Sequence, residues 1–157
     1  MNTWTYISRQ VYRRAYNIGL DMSLFKEGKT PQGKIALALD SKSNKQHNIE
    51  LAYWRKSYDL HDKFLSYAVS SIAIKVAKGK YANKEVAKAM DLNCKKISLT
   101  KEDLIEIKSW CAWKIQEEDY DDNDYYRQDY ELAIETIEKA LKETDFEHEI
   151  IYYWSWW

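Results

Sequence analysis

The sequence predicts an α+β fold: an antiparallel sheet of about four strands with three main helices, largely on one face of the sheet. Two observations predict this fold. Several short segments alternate apolar and polar residues with a period of two, and three longer segments repeat apolar residues at helical spacing. The chain has 157 residues with only four Gly and one Pro. We therefore interpret 1–157 as a single domain with an N-terminal extension at 1–17 and an acidic loop at 117–124.

The first two predicted strands cover 19–25 (GLDMSLF) and 34–40 (KIALALD). Apolar residues occupy every second position in both segments, which is typical of strands with one buried face. Glycine and proline residues between the segments predict a turn, so the pair is expected to form a hairpin with an open loop.

The longest helical pattern covers 49–78. Two neighbouring apolar stripes give this segment a wide apolar arc, so we expect a central and largely buried helix. Within this helix, Arg55 would meet Asp59 and Asp62 at spacings of four and seven residues, which favours surface ion pairs.

A short strand beginning near Cys94 is predicted to lead into a second helix. Thr100 is a suitable N-cap for that helix, and Asp103 completes a capping box in which Asp replaces the usual Glu. The acidic loop at 117–124 should end the second helix and cap a third, Tyr-rich helix, whose N-terminus favours nearby carboxylates.

The last segment, 146–157, alternates clearly and is unusually aromatic. A terminal strand of this composition would expose a large apolar patch if it extended into solvent, so we expect it to be inserted in the sheet. One of its faces carries Tyr152, Trp154 and Trp156, and the other carries Tyr153 and Trp157.

Charge is unevenly distributed along the chain. The whole chain has a net charge of -1, but residues 1–116 sum to +10 and residues 117–157 sum to -11. The total argues against a simple polybasic nucleic-acid protein, and the two parts can attract each other in the fold. No signal peptide or membrane span is recognisable. Cys94 and Cys111 show no metal-type spacing, so we interpret them as reduced, buried thiols in a cytoplasm.

Motifs for catalysis, cofactors and metals are not recognisable. There is no Gly-rich phosphate loop, nucleophile elbow or zinc-binding helix motif. A calcium loop begun at Asp119 would need Gly at 124 and Glu at 130, and those positions hold Asp124 and Tyr130. We therefore expect neither a metal nor a cofactor, and no enzymatic activity.

Two other hypotheses stay open. An enzyme could use His61 together with Asp21 or Arg55. A nucleic-acid-binding module could use the Lys-rich region 75–101. Within it, residues 78–98 weakly resemble a helix-turn-helix and would suit phosphate contact. The β-rich stretch that follows the proposed turn is a poor recognition helix, so the second hypothesis is kept as the alternative function.

Several stretches, in order, resemble a family of uncharacterised bacteriophage proteins. They are GLDMSLF at 19–25, YWRKSYDLHDKF at 53–64, CKKISLTKEDL at 94–104 and the C-terminal Tyr-rich helix with its aromatic strand. Extra residues at 1–17 and the acidic loop depart from the family's pattern. The resemblance implies a phage-encoded accessory protein in the host cytoplasm that binds and inhibits a host component, such as part of a CRISPR or nucleotide-signal defence system. It supplies no catalytic residues.

Helices on one side of the sheet would leave its second face open to a partner. We expect that face to bear Asp21 and Ser23 on the first strand and Ile151, Tyr153 and Trp157 on the last, unless residues 1–17 cover it. Tyr and Trp are enriched at interaction surfaces, and arginine beside aromatic rings suits an anionic ligand. The expected partner is a host protein or a small nucleotide, with homodimerisation as an alternative. The candidate binding residues are Asp21, Ser23, Arg55, Lys56, His61, Tyr153 and Trp157.

Overall fold

The computed structural model describes residues 19–29, 48–77, 92–118, 120 and 124–157. The elements within them, in chain order, are β1 (Asp21–Gly28), β2 (Ile49–Arg55), α1 (Tyr58–Ala77), β3 (Ile97–Leu99), α2 (Lys101–Glu117), α3 (Tyr125–Glu143) and β4 (Glu149–Trp156). Four strands and three helices confirm the predicted α+β fold. The extension at 1–17 and the predicted strand at 34–40 lie outside the described residues.

The four strands form one antiparallel sheet in the order β2-β1-β4-β3. The strand nearest the C-terminus, β4, pairs with β1 on one side and β3 on the other, which confirms that the aromatic terminal segment is inserted in the sheet. Its central position satisfies backbone groups along both of its edges.

The prediction of a helix from residue 49 is wrong, because 49–55 is the strand β2. Ala52 and Trp54 point to the core from alternate positions, and pairing with β1 satisfies the backbone. The chain then turns at Lys56, whose φ is 59° and whose N–H donates to the Leu20 carbonyl at 2.8 Å. Arg55 therefore precedes α1, and the predicted helical spacing to Asp59 and Asp62 does not exist.

The core lies between the helices and one face of the sheet, which we call the inner face. Phe64 of α1 stacks on Tyr153 of β4 with ring centroids 4.3 Å apart and planes 7° apart. The Trp54 ring lies 5.9 Å from the Phe64 ring, and its Nε1–H donates to the Asp129 carbonyl of α3 at 3.2 Å. These contacts hold α1 and α3 on the inner face.

The predicted helix caps are confirmed. The Thr100 hydroxyl accepts from the Asp103 N–H at 3.1 Å, and the Asp103 carboxylate accepts from the Thr100 N–H at 2.8 Å. The acidic loop ends α2 at Glu117 and supplies Asp124, whose carboxylate accepts from the Tyr126 N–H at 2.8 Å.

The two cysteines differ in environment. Cys111 lies in the core as expected, and burial raises the pKa of its thiol to about 12. The expectation that Cys94 is buried is wrong: it lies in the turn before β3 with a φ of 57°, and that turn leaves the residue exposed.

The capping box predicts a stability effect. Thr100→Ala removes one of the two reciprocal hydrogen bonds and leaves the Asp103 N–H without its acceptor, so the free energy of unfolding should fall by about 1 kcal/mol. Chemical denaturation monitored by circular dichroism measures the change. Thr100→Ser keeps the hydroxyl and should stay close to the parent, and equal loss in both variants would contradict the assignment.

Candidate functional site

The sheet face opposite the described helices, which we call the outer face, carries polar and aromatic side chains in register. Asp21 of β1 lies directly between Arg55 of β2 and Trp156 of β4. Neighbouring strands are about 4.8 Å apart, so these three side chains form a continuous row across the sheet.

A second row follows one step along the outer face. Ser23 lies between Tyr53 of β2 and Trp154 of β4. The two rows together bring a carboxylate, a guanidinium and three large rings to one end of the outer face. We call Asp21, Tyr53, Arg55, Trp154 and Trp156 the aromatic patch.

Asp21 organises the aromatic patch. Its carboxylate accepts a hydrogen bond of 2.5 Å from the Tyr53 hydroxyl and lies 3.8 Å from the Arg55 Nε. The hydrogen bond to Asp21 is the main reason why the pKa of Tyr53 is raised. The aspartate thus restrains two side chains that otherwise extend into solvent.

The aromatic patch is accessible. Tyr53 is 50% exposed, Trp156 is 47% exposed, and the Arg55 side chain is 65% exposed. Single exposed apolar residues are ordinary on a protein surface, but two large rings on one pair of adjacent rows make a connected surface.

The edge of the patch is fixed by α3. The Tyr125 hydroxyl donates to the Arg55 carbonyl, which ties the end of β2 to the start of the helix. Lys56 follows in the left-handed region of backbone space and its side chain is exposed. Arg55 and Lys56 therefore present two cationic side chains at the border of the patch.

Beyond the aromatic patch, described side chains of the outer face contact one another. Phe25 and Tyr152 stack with ring centroids 5.3 Å apart, and the Lys96 Nζ lies 4.4 Å from the Tyr152 ring centroid. Lys96 also pairs with the buried Glu27 at 2.8 Å. Tyr152 is only 2% exposed, so the accessible rings of the described outer face are concentrated in the patch.

The structure divides the seven predicted binding residues between the two faces. Asp21 and Arg55 lie in the aromatic patch, Lys56 lies at its border, and Ser23 is buried within the second row, where its hydroxyl donates to Glu50 at 2.6 Å. The other three predicted residues lie on the inner side.

The placement of Ile151, Tyr153 and Trp157 on the outer face is wrong. All three are buried: Tyr153 stacks on Phe64, and Trp157 contacts His61 with ring centroids 4.9 Å apart. The alternation of residues along β4 correctly divided its side chains between two faces. The face that carries Ile151 and Tyr153 is the inner one, because it lies beside the apolar side chains of β1.

His61 is a core residue rather than a surface ligand. Its Nδ1 lies 2.6 Å from the Tyr153 hydroxyl, and its Nε2 has no hydrogen-bond partner in the described part of the chain. The sheet separates His61 from Asp21 and Arg55, so this arrangement does not assemble the acid–base group that the enzymatic hypothesis requires.

Sequence reasoning missed Tyr53, Trp154 and Trp156 as members of the site. Tyr53 was assigned to a helix, and the two tryptophans were assigned to the face opposite the predicted site. A signal for Trp154 and Trp156 existed, because they alternate with Tyr153 and so lie on the opposite face of β4. The apolar residues at alternate positions of β1 mark its inner face, and the register of β4 on β1 then shows which face of β4 is inner.

The nucleic-acid interface proposed for the Lys-rich region stays a prediction. Most of it, 78–91, lies outside the described residues. Within the described part, Lys96 is engaged by Glu27 and Tyr152 as stated above, which leaves its charge largely compensated.

A turn before β4 brings Asp145, Glu147 and His148 together on the surface. Hydrogen bonds within the turn explain the arrangement, because Asp145 accepts from the Glu147 N–H at 3.0 Å and lies 2.7 Å from the His148 Nδ1. All three residues are exposed, so the cluster needs no ion to account for it.

No family model, curated protein or solved structure matches this chain. The resemblance to phage proteins therefore stays a prediction. None of the described helices has the length and apolar character needed to cross a bilayer.

The buried His61 predicts acid sensitivity. Burial lowers the pKa of His61 from 6.5 to about 3. Between pH 6.5 and pH 3, this histidine is therefore protonated in the unfolded chain and neutral in the folded chain. Stability should therefore fall as pH decreases from about 6.5 towards 3, by on the order of 4 kcal/mol for this residue.

Asp129 acts in the opposite direction, since burial raises its pKa to about 6 and the folded chain then gains a proton as pH falls. The parent and the His61→Gln variant both contain Asp129, so the Asp129 contribution cancels in the difference between their free energies of unfolding. Urea denaturation at several pH values should show that the parent loses stability relative to His61→Gln below pH 6.5. A constant difference across that range would contradict the assignment.

Proposed function

We propose that this protein is a non-enzymatic binding protein that holds a host protein against its aromatic patch. The observation that carries the proposal is the exposure of Tyr53 and Trp156 on the two sides of Asp21, on a sheet face opposite the described helices. Tyr and Trp offer large contact areas with few rotatable bonds and are enriched where binding energy concentrates.

The polar groups of the patch suit a protein partner. Asp21 engages the Nε of Arg55, which leaves the terminal guanidinium nitrogens able to donate to a carboxylate or a carbonyl. Asp21 and Glu50 place two carboxylates on the same face and disfavour a polyanion. A mixed surface of this kind gives specificity through complementary charge.

The resemblance to phage proteins supports the biological setting. In that setting the protein acts in the cytoplasm of an infected bacterium and blocks a host defence component by occupying its surface. Inhibition needs only binding, which agrees with a site built from rings and one ion pair rather than from an acid–base group.

A site-specific cross-linking experiment tests the proposal. A photoreactive phenylalanine analogue replaces Trp156 in one variant and Trp113 of α2 in another, and both are irradiated in bacterial cells. Trp113 is the matched control because it is 51% exposed and lies on a helix. We expect one discrete host-protein adduct from position 156 and none from position 113.

Other outcomes would overturn the proposal. The same adducts from both positions would indicate non-specific contact. An adduct between two copies of the chain would assign the patch to a homodimer instead. The identified host protein can then be purified for direct binding measurements.

The aromatic patch also predicts a mutational pattern. Trp156→Ala should weaken binding of that host protein by about 2 kcal/mol, or roughly 30-fold, because a hot-spot ring is lost. Trp113→Ala should leave the affinity unchanged. Isothermal titration calorimetry measures both variants, and their unfolding curves should stay cooperative because both rings are half-exposed. Equal loss of affinity in the two variants would contradict the site.

A further inference from the structure

β2 is an edge strand of the described sheet. One hydrogen bond shows which of its residues direct their backbone N–H and C=O groups towards β1 and which direct them away. The Lys56 N–H donates to the Leu20 carbonyl. Hydrogen-bonded and non-hydrogen-bonded pairs alternate along an antiparallel ladder. The backbone groups of Tyr53 and Arg55 therefore point away from β1, towards the outer edge of β2.

Among the described residues, one contact closes one end of this outer edge and none closes the rest. At Arg55, the backbone carbonyl accepts a hydrogen bond from the Tyr125 hydroxyl. In the described part of the chain no strand pairs with the Tyr53 backbone on that side. An edge strand with unpaired N–H and C=O groups is a template for another extended segment.

A groove of about 400 Å³ lies beside the first half of β2, between it and the last turns of α3. Its apolar wall includes Leu51, Leu132 and Ala140. The Thr144 hydroxyl at its end is buried and has no hydrogen-bond partner in the described structure. The volume falls in the range of ligand sites and is sufficient for a few side chains.

The groove carries an excess of negative charge. Glu135 and Glu143 of α3 line it on either side of Lys139. Glu50 of β2 also borders the groove, but its carboxylate accepts from the Ser23 hydroxyl on the outer face and is not counted here. The other lysine of the lining, Lys26, is compensated by Glu149 at 3.4 Å, which leaves the two carboxylates of α3 against one ammonium group.

We propose that the outer edge of β2 binds an extended, Lys- or Arg-rich peptide segment of a partner protein, which adds a strand at Tyr53 and places its side chains in the groove beside α3. The backbone edge that no described strand pairs supplies the hydrogen bonds, and the carboxylates of Glu135 and Glu143 select basic side chains. Because Tyr125 closes the edge at Arg55, the added strand ends beside Tyr53. This site uses the Tyr53 backbone at the sheet edge, whereas the aromatic patch uses the Tyr53 side chain on the outer face, so the proposal does not depend on the function proposed for the patch.

Model peptides test the proposal on the full chain. The probes are fluorescently labelled peptides that alternate Lys and Val, Glu and Val, or Lys and Pro. Fluorescence anisotropy should show that the Lys-Val peptide binds at least about tenfold more tightly than the Glu-Val peptide. The Lys-Pro peptide has the same charge but lacks alternate amide donors, so it should also bind about tenfold more weakly.

Charge reversal locates the site. Glu135→Lys combined with Glu143→Lys should weaken the Lys-Val peptide by at least about tenfold. Glu117→Lys combined with Glu147→Lys makes the same change in net charge at exposed positions outside the groove. This control should change the affinity by no more than about twofold, and equal loss in both double variants would overturn the proposal.

Hydrogen exchange of the Tyr53 amide gives an independent readout. The amide should exchange quickly in the free monomer and become protected by about tenfold or more on saturation with the Lys-Val peptide. Protection already present in the free monomer would show that the chain itself pairs this edge. Protection that appears only as protein concentration rises would show that a second copy does so. Either result would overturn the proposal.

Discussion

The stacking of Tyr153 on Phe64, together with the contact between its hydroxyl and His61, is the interaction on which the rest of the structure depends. It joins β4 to α1, and Tyr153 is fully buried. Because successive side chains of a strand point to opposite faces, burying Tyr153 sends Trp154 and Trp156 outward. A one-residue change of register would exchange the two faces completely.

The outer face follows from this constraint. The inner face is occupied by helices, whereas the outer face has a filled region around Tyr152 and an accessible region around Asp21. Asp21 restrains Tyr53 and Arg55 before any partner arrives, which lowers the entropy that these side chains lose on binding. The same residue thus links the strand register to the proposed function.

The sequence was informative where local chemistry decides the structure. Thr100 with Asp103 predicted a helix start, and the alternation of 146–157 predicted an inserted strand. The sequence was misleading at 49–55, because a short apolar run fits both the helical and the strand period. Pairing with β1 decides that this segment is a strand. The face of Tyr153 could not be assigned for a similar reason: both faces of β4 are aromatic, so only the register with its neighbours distinguishes them.

The most direct measurement is hydroxyl-radical footprinting of the free monomer, with the oxidation rate of each ring read by mass spectrometry. If the outer face is an accessible aromatic surface, Tyr53 and Trp156 should be oxidised at rates close to that of the exposed Trp113, and Tyr153 and Trp54 should be oxidised far more slowly. Protection of Tyr53 and Trp156 to the level of Tyr153 would mean that this face is covered within the chain, and the proposed binding surface would not exist.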